Sequence, residues 1–253
     1  LAMYKAKRSG GARWDEYDES LRSDMAHSFE LQRGILDSLR DEEFTLFLQP
    51  LRDLTSGRTI GAECLVRWFH PKHGLTGTDQ FIPIAERSGL IVPLGRWILD
   101  SACRIAARAR AIGREDLRIS VNVSGRQLGH TGFVDDFLEA IDRYGIPASQ
   151  LILEVTETVF IGTDGDAVDM LRSLKRTGAT IALDDFGTGY SSLNQLRFMP
   201  ASMLKIDGSY VGDLVDDPGT RAITTAIVEL SRELDFELIA EGVETSAQLR
   251  TLQ

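Results

Sequence analysis

The feature that most constrains this chain is a repeating alternation of short apolar runs with helix-length amphipathic segments, punctuated by glycine and proline. A strand predicted at Arg118–Val123 precedes a helix at Phe133–Tyr144, which Gly145-Ile-Pro147 stops. Leu151–Val155 precedes a helix at Asp166–Thr177 closed by Gly178, and Thr180–Leu183 is the next apolar run. Met203–Ile206 precedes a helix from Pro218 to Leu234, and Glu237–Ala240 precedes a last helix with the capping-box spacing Thr245…Gln248. Short apolar runs bounded by turn residues read as buried strands, and strands alternating with helices call for a parallel sheet with helices outside it.

The N-terminal part is less regular. Arg22–Arg40 has apolar residues at three- and four-residue steps, with Met25 and Phe29 expected on its buried face. Phe44–Leu48 and Thr59–Trp68 read as strands joined by the turn Leu54–Arg58, hence as an antiparallel hairpin. Helices follow at Asp79–Arg87 and Pro93–Ile112. With these strands the count is seven (44–48, 59–68, 118–123, 151–155, 180–183, 203–206 and 237–240). The expected fold is α/β, a (β/α)8 TIM-type barrel one strand short at its C-terminal end, and an open doubly wound sheet is the alternative. A chain that opens on Leu1 and stops at Gln253 inside a helical pattern reads as a fragment.

Charge and cysteine usage narrow the function. The formal net charge is −10, which argues against nucleic-acid binding and requires a cation if the ligand is an anion. Cys64 and Cys103 are the only cysteines, which suggests a reducing compartment and a cytoplasmic location. No apolar run approaches the length of a membrane span.

Polar residues collect at or just beyond the strand ends: Glu63, Asn122, Glu154 with Glu157, Asp184 with Asp185, Lys205 with Asp207, and Glu241 with Glu244. Successive steps from Asn122 to Glu154, Asp184, Lys205 and Glu241 are 32, 30, 21 and 36 residues, about one strand-helix unit each. In a barrel such a rim is where catalysis is built. Oxygen donors without a histidine cluster suit Mg2+ or Mn2+. Glu63, Asn122, Glu154 and Asp184 can supply one ion, and Asp185 a second about 3.5–4 Å away, the two-metal arrangement for phosphoester displacement. The histidines, His27, His70, His73 and His130, have no ligand-like spacing and read as surface or packing residues. Gly187-Thr-Gly189 is a weak phosphate-loop signal.

Together the segments Glu63-Cys-Leu-Val-Arg67-Trp68, Asn122-Val-Ser124, Leu153-Glu154-Val-Thr-Glu157, Asp184-Asp185-Phe-Gly-Thr-Gly-Tyr-Ser-Ser-Leu193, Leu204-Lys205-Ile-Asp207 and Glu241-Gly-Val-Glu244 resemble the signature series of the EAL-domain family, the cyclic di-GMP phosphodiesterases. The resemblance implies a (β/α)8 barrel with an antiparallel first strand, two Mg2+ or Mn2+ ions, hydrolysis of cyclic di-GMP to linear pGpG, and a homodimer. By motif, Glu63, Asn122, Glu154 and Asp184 resemble the ligands of one metal, Asp185 belongs to the second, and Asp207 is a further metal-site group. Lys205 and Glu241 resemble the pair that positions or activates water, and Glu157 the residue that steadies the loop after Asp184. Gln49, Leu65, Arg67, Asn122, Asp185 and Glu244 fall at substrate-contacting positions.

Three departures stand out. Cys64 replaces the alanine of the naming motif, Leu48 replaces an aromatic before Gln49-Pro50, and the last strand with its Gln-Gly-Tyr segment does not follow. The AMYKAK segment resembles the end of a GGDEF domain, so residues 1–20 are expected to be its remnant plus a linker and 21–253 the EAL domain. The competing functions are a catalytically silent cyclic di-GMP receptor, and a barrel enzyme that abstracts a proton with Lys205 as base.

Overall fold

The strand-helix alternation folds as its pattern requires. The structure is a computed structural model that describes residues 19–160, 166–187, 196 and 198–253; the AMYKAK segment and the loop residues Thr188 to Leu193 lie outside these. The elements are α1 (Glu19–Arg40), β1 (Phe44–Arg52), β2 (Thr59–His70), β3 (Gly74–Thr76), α2 (Thr78–Ser88), α3 (Ile91–Ala111), β4 (Arg118–Asn122), α4 (Gly125–Leu128), α5 (Phe133–Tyr144), β5 (Leu151–Thr156), α6 (Asp166–Arg176), β6 (Thr180–Phe186), β7 (Met203–Ile206), α7 (Gly208–Gly212), α8 (Pro218–Glu233), β8 (Glu237–Ala240) and α9 (Ser246–Leu252). Among the described residues no helix is long and apolar enough to cross a membrane.

The sheet runs in the order β1-β2-β4-β5-β6-β7-β8, with β3 added antiparallel to β2. From β2 to β8 every neighbour along the path is parallel. The β1–β2 hairpin is antiparallel: Phe69 N–H donates to the Glu43 carbonyl at one end and Asp53 N–H to the Arg58 carbonyl at the other, both at 2.9 Å. This strand succession is that of a (β/α)8 barrel with an inverted first strand, and it excludes the doubly wound sheet, whose order reverses about its first strand.

Two compact units are distinguishable, one within Leu1–Thr45 and Arg67–Leu94, the other within Leu46–Val66 and Gly95–Gln253. In the first, Phe44 stacks on Trp68 and both meet Phe81, with ring centroids 5.1–5.7 Å apart. Trp68 Nε1–H donates to Ser38 Oγ at 2.9 Å, which satisfies a polar atom that burial would otherwise strand. The buried stripe of α1 is Leu31, Ile35 and Ser38, whereas Phe29 is 58% exposed and Leu36 is exposed as well. The helix is therefore rotated from the face its periodicity suggested for Phe29, because the Trp68 pocket accepts the other stripe.

In the second unit, strand alternation builds two layers inside the sheet. Ile152, Ala182 and Met203 form a buried apolar layer with Leu51 and Ile239 packed against it. Two residues further along each strand the inward position is occupied by Glu154, Asp184, Lys205 and Glu241, because side chains repeat every second residue on one face. Gly61, two residues before Glu63, is needed for backbone approach: a Cβ there would meet the Arg118 carbonyl oxygen at 2.4 Å. Cys64 faces away from Glu63 and is buried, and burial pushes its thiol up to about 12, so it behaves as a small apolar residue.

Candidate active site

Five strands of the second unit deliver charged side chains to one point. The ammonium of Lys205, from β7, lies 2.6 Å from Glu154 Oε2 (β5), 3.0 Å from Asp184 Oδ1 (β6), 3.5 Å from Glu63 Oε2 (β2) and 2.5 Å from Glu241 Oε1, just after β8. Lys205 and Glu154 are each only 1% exposed. Burial opposes the charge on Lys205, but the four carboxylates, Glu154 foremost, outweigh it and hold the ammonium well above the ordinary lysine value. Burial raises Glu154 to about 7, with Lys205 opposing and Glu63 adding to the rise. The other oxygen of Glu154 accepts a hydrogen bond from the buried Ser120 hydroxyl. Burial also raises Glu241, against the pull of Lys205.

Asn122 stands one shell out. Its Nδ2 donates to Glu63 Oε1 at 2.8 Å and thereby aims Glu63 at the cluster. The structure thus brings Glu63, Asn122, Glu154 and Asp184 into one neighbourhood. The three carboxylates meet, the point is Lys205 Nζ, and Asn122 joins through Glu63.

The adjacent acids Asp184 and Asp185 owe their disposition to a bulge. The β6–β7 register steps from Leu183 opposite Leu204 to Phe186 opposite Ile206, so β6 carries one extra residue. Asp185 takes a left-handed backbone, φ 55°, a conformation aspartate tolerates better than most residues. Its N–H donates to Asp184 Oδ1 at 3.0 Å. Desolvation, then repulsion from Asp184 and Asp207, raise the Asp185 carboxyl. Asp207 itself caps α7, accepting from Ser209 N–H at 3.0 Å and from the Ser209 hydroxyl, bonds that lower its pKa.

Beyond the bulge, Glu157 Oε1 accepts the Gly187 N–H at 3.1 Å, and Tyr210 O–H donates to the Gly187 carbonyl at 2.6 Å. Glu157 is buried, and among the described residues its Oε2 has no hydrogen-bond partner. Gly187 has φ 96°, and a Cβ there would meet Tyr210 Cε2 at 3.0 Å. Ser120 and Tyr210 escaped the sequence reading. Ser120 had a signal, since it lies two residues before Asn122 and so shares its strand face; Tyr210 had none.

The remaining expected site residues are less engaged. Gln49 is exposed on β1, Leu65 is half-buried on β2, and Glu244 is exposed, its backbone N–H bound to Gln248 Oε1 at 2.8 Å. Arg67 is half-buried on the part of β2 that belongs to the first unit. Among the described residues four carboxylates (Glu63, Glu154, Asp184 and Glu241) share the Lys205 ammonium, and Asp185 and Asp207 lie nearby. Those hard oxygen donors are of the type that suits a divalent cation, and Glu63, Glu154, Asp184 and Asp185 are the groups that could hold one.

The chain matches the EAL domain over residues 31–253. It is 41% identical over 247 residues to the bifunctional diguanylate cyclase/cyclic di-GMP phosphodiesterase MucR of Pseudomonas aeruginosa, covering 98% of this chain and 36% of that protein. It is 35% identical over 253 residues to the cyclic di-GMP phosphodiesterase NbdA of the same organism, covering 100% of this chain and 32% of that protein. The chain therefore spans about a third of the length of these relatives. Among solved structures, the MucR phosphodiesterase in complex with cyclic di-GMP superposes with a TM-score of 0.83 at 42% identity, covering 88% of this chain and 90% of that one. The EAL enzyme Bd1971 with cAMP and cyclic di-GMP bound gives 0.84 at 32% identity, covering 98% and 65%. The strand order, the acid rim and these matches lead to one assignment: the chain belongs to the EAL domain family.

Proposed function

We propose that this chain hydrolyses one phosphodiester of cyclic di-GMP to give linear pGpG, in a reaction that requires Mg2+ or Mn2+. The observation that carries the reading is the convergence of Glu63, Glu154, Asp184 and Glu241 on Lys205, with the carboxyls of Asp185 and Asp207 close enough to repel each other beside it. A phosphodiester anion cannot approach six carboxylates without cations in between. Bound divalent ions would supply Lewis-acid activation of water and neutralise charge on the non-bridging oxygens.

The protein's own groups divide the remaining work. Glu154 is locked by Ser120 and Lys205 and cannot turn toward substrate. Glu241 has a side chain 30% exposed and lies at the open side of the cluster, where it takes the proton of an entering water while Lys205 orients it. Lys205, held in its charged form, is a poor base, which weighs against the proton-abstraction alternative. Glu157 and Tyr210 anchor Gly187 and so fix the turn behind Asp185. Gln49, Leu65 and Glu244 of the second unit are the positions proposed to contact substrate.

The same reading makes the chain a cytoplasmic, dimer-forming module preceded by a GGDEF domain; the buried free cysteines support the compartment and the AMYKAK segment the preceding domain. The test is an assay of purified protein with cyclic di-GMP and Mg2+ or Mn2+, read by appearance of pGpG. Binding without turnover would replace the enzyme by the receptor reading. Glu63→Ala should lower turnover by about 10²–10³-fold or more while the fold persists, and an unchanged rate would remove Glu63 from the site.

A further inference from the structure

Although the histidines are scattered in sequence, three of the four come together in the first unit. His27 and Glu30 are three residues apart on α1 and share one helix face, and His73 sits in the turn between β2 and β3. One ligand atom from each of His27, Glu30 and His73 lies within 4.8 Å of the others, the only such group of His, Cys, Asp or Glu among the described residues. His73 Nε2 is 3.5 Å from Glu30 Oε2. Two ligands at about 2.0–2.1 Å from a tetrahedral ion stand about 3.3–3.4 Å apart, so this edge is already near its ligated length. The His27 and His73 rings are 5.0 Å apart, edge to face.

The turn is held for this purpose by the third histidine. His70 is buried, and its Nδ1 accepts the backbone N–H groups of Lys72 at 3.1 Å and His73 at 3.4 Å. Its acceptor nitrogen is therefore spent on fixing the backbone that presents His73. Lys72 Nζ binds Glu30 Oε1 at 2.7 Å and leaves Oε2 facing His73.

We propose that His27, Glu30 and His73 form a binding site for a first-row divalent transition-metal ion, with Zn2+ its best match, that ties α1 to the β2–β3 turn. Two imidazoles and a carboxylate are a borderline-soft donor set, unlike the all-oxygen acid cluster, and three protein ligands leave a fourth position open. The adjacent Lys72 ammonium repels the ion and keeps it exchangeable. The site therefore reports metal supply through the docking of α1, separately from the chemistry of the acid rim.

The test titrates the protein with Zn2+ against a chromophoric chelator, with Mg2+ in excess throughout to occupy the acid cluster. Wild type and the control His130→Ala are expected to bind a zinc ion that His27→Ala and His73→Ala each weaken at least about tenfold. Zn2+ should raise the unfolding temperature of wild type and not that of the double variant carrying both His27→Ala and His73→Ala. Equal zinc affinity in wild type and the double variant would overturn the proposal. So would a Co2+ spectrum of wild type showing only the weak bands of octahedral coordination, a result independent of how any variant folds. Neither readout depends on cyclic di-GMP turnover.

Discussion

Replacing Lys205 by methionine isolates the electrostatic argument, because methionine has nearly the same length and leaves the packing in place. The substitution deletes the cation that contacts Glu154, Asp184, Glu63 and Glu241, whose oxygens lie 2.5–3.5 Å from it. The Glu154 side chain is 0% exposed, so water cannot substitute for the ammonium. Removing one partner from a buried ion pair costs about 3–5 kcal/mol, since the partner left behind is a buried, uncompensated charge. For a chain of this size that is a midpoint shift on the order of 1–2 M in urea, with the slope unchanged. The assay is urea unfolding followed by fluorescence and circular dichroism in metal-free buffer near neutral pH. Mn2+ added to the variant should recover part of the loss by returning positive charge to the same oxygens. A shift worth less than about 1 kcal/mol, the scale of a surface pair, would refute the claim that Lys205 balances the site.

Other positions give smaller, separable effects. Gly187→Ala forces a side chain into a φ of 96° and against Tyr210, and should cost about 1–2 kcal/mol, measured by thermal melting. Glu157→Ala removes the acceptor of the Gly187 N–H and should lower kcat for cyclic di-GMP by about tenfold or more with little change in unfolding midpoint; an unchanged kcat would free the loop from Glu157. Thr245→Ala breaks a capping box in which Gln248 and Thr245 bond reciprocally, and should cost about 1 kcal/mol without altering turnover.

The elements were legible wherever a long periodic pattern met clear stop signals. Phe133–Tyr144, Met203–Ile206 and Glu237–Ala240 lie where the sequence puts them. The short α4 and α7 were not, because four or five residues cannot show a helical period, although Ser124 and Gln127 carried the capping-box spacing that marks α4. The rotation of α1 was also hidden: both of its stripes are apolar, and the Trp68 pocket chooses between them. Site membership was readable from strand ends, but site geometry was not. That Lys205 is the meeting point follows from strand order and pleat, and the left-handed backbone of Asp185 after Asp184 accompanies a register step against β7. Pairing partners do not appear in a single strand's sequence. The meeting of His27 with His73 was invisible for the same reason, although His27 and Glu30 at a helical i, i+3 interval were a partial sign.

The ammonium at the centre of the acid rim has a consequence for the life history of the domain. A barrel whose buried carboxylates relied on divalent ions for neutrality would fold only where those ions were plentiful, as small zinc domains do. Here the counter-charge is encoded in the chain, so synthesis and folding proceed in advance of loading. Under the proposed function, metal would then be a late, reversible addition to a finished scaffold. Catalytic competence would then follow ion supply without leaving an unfolded protein whenever that supply falls.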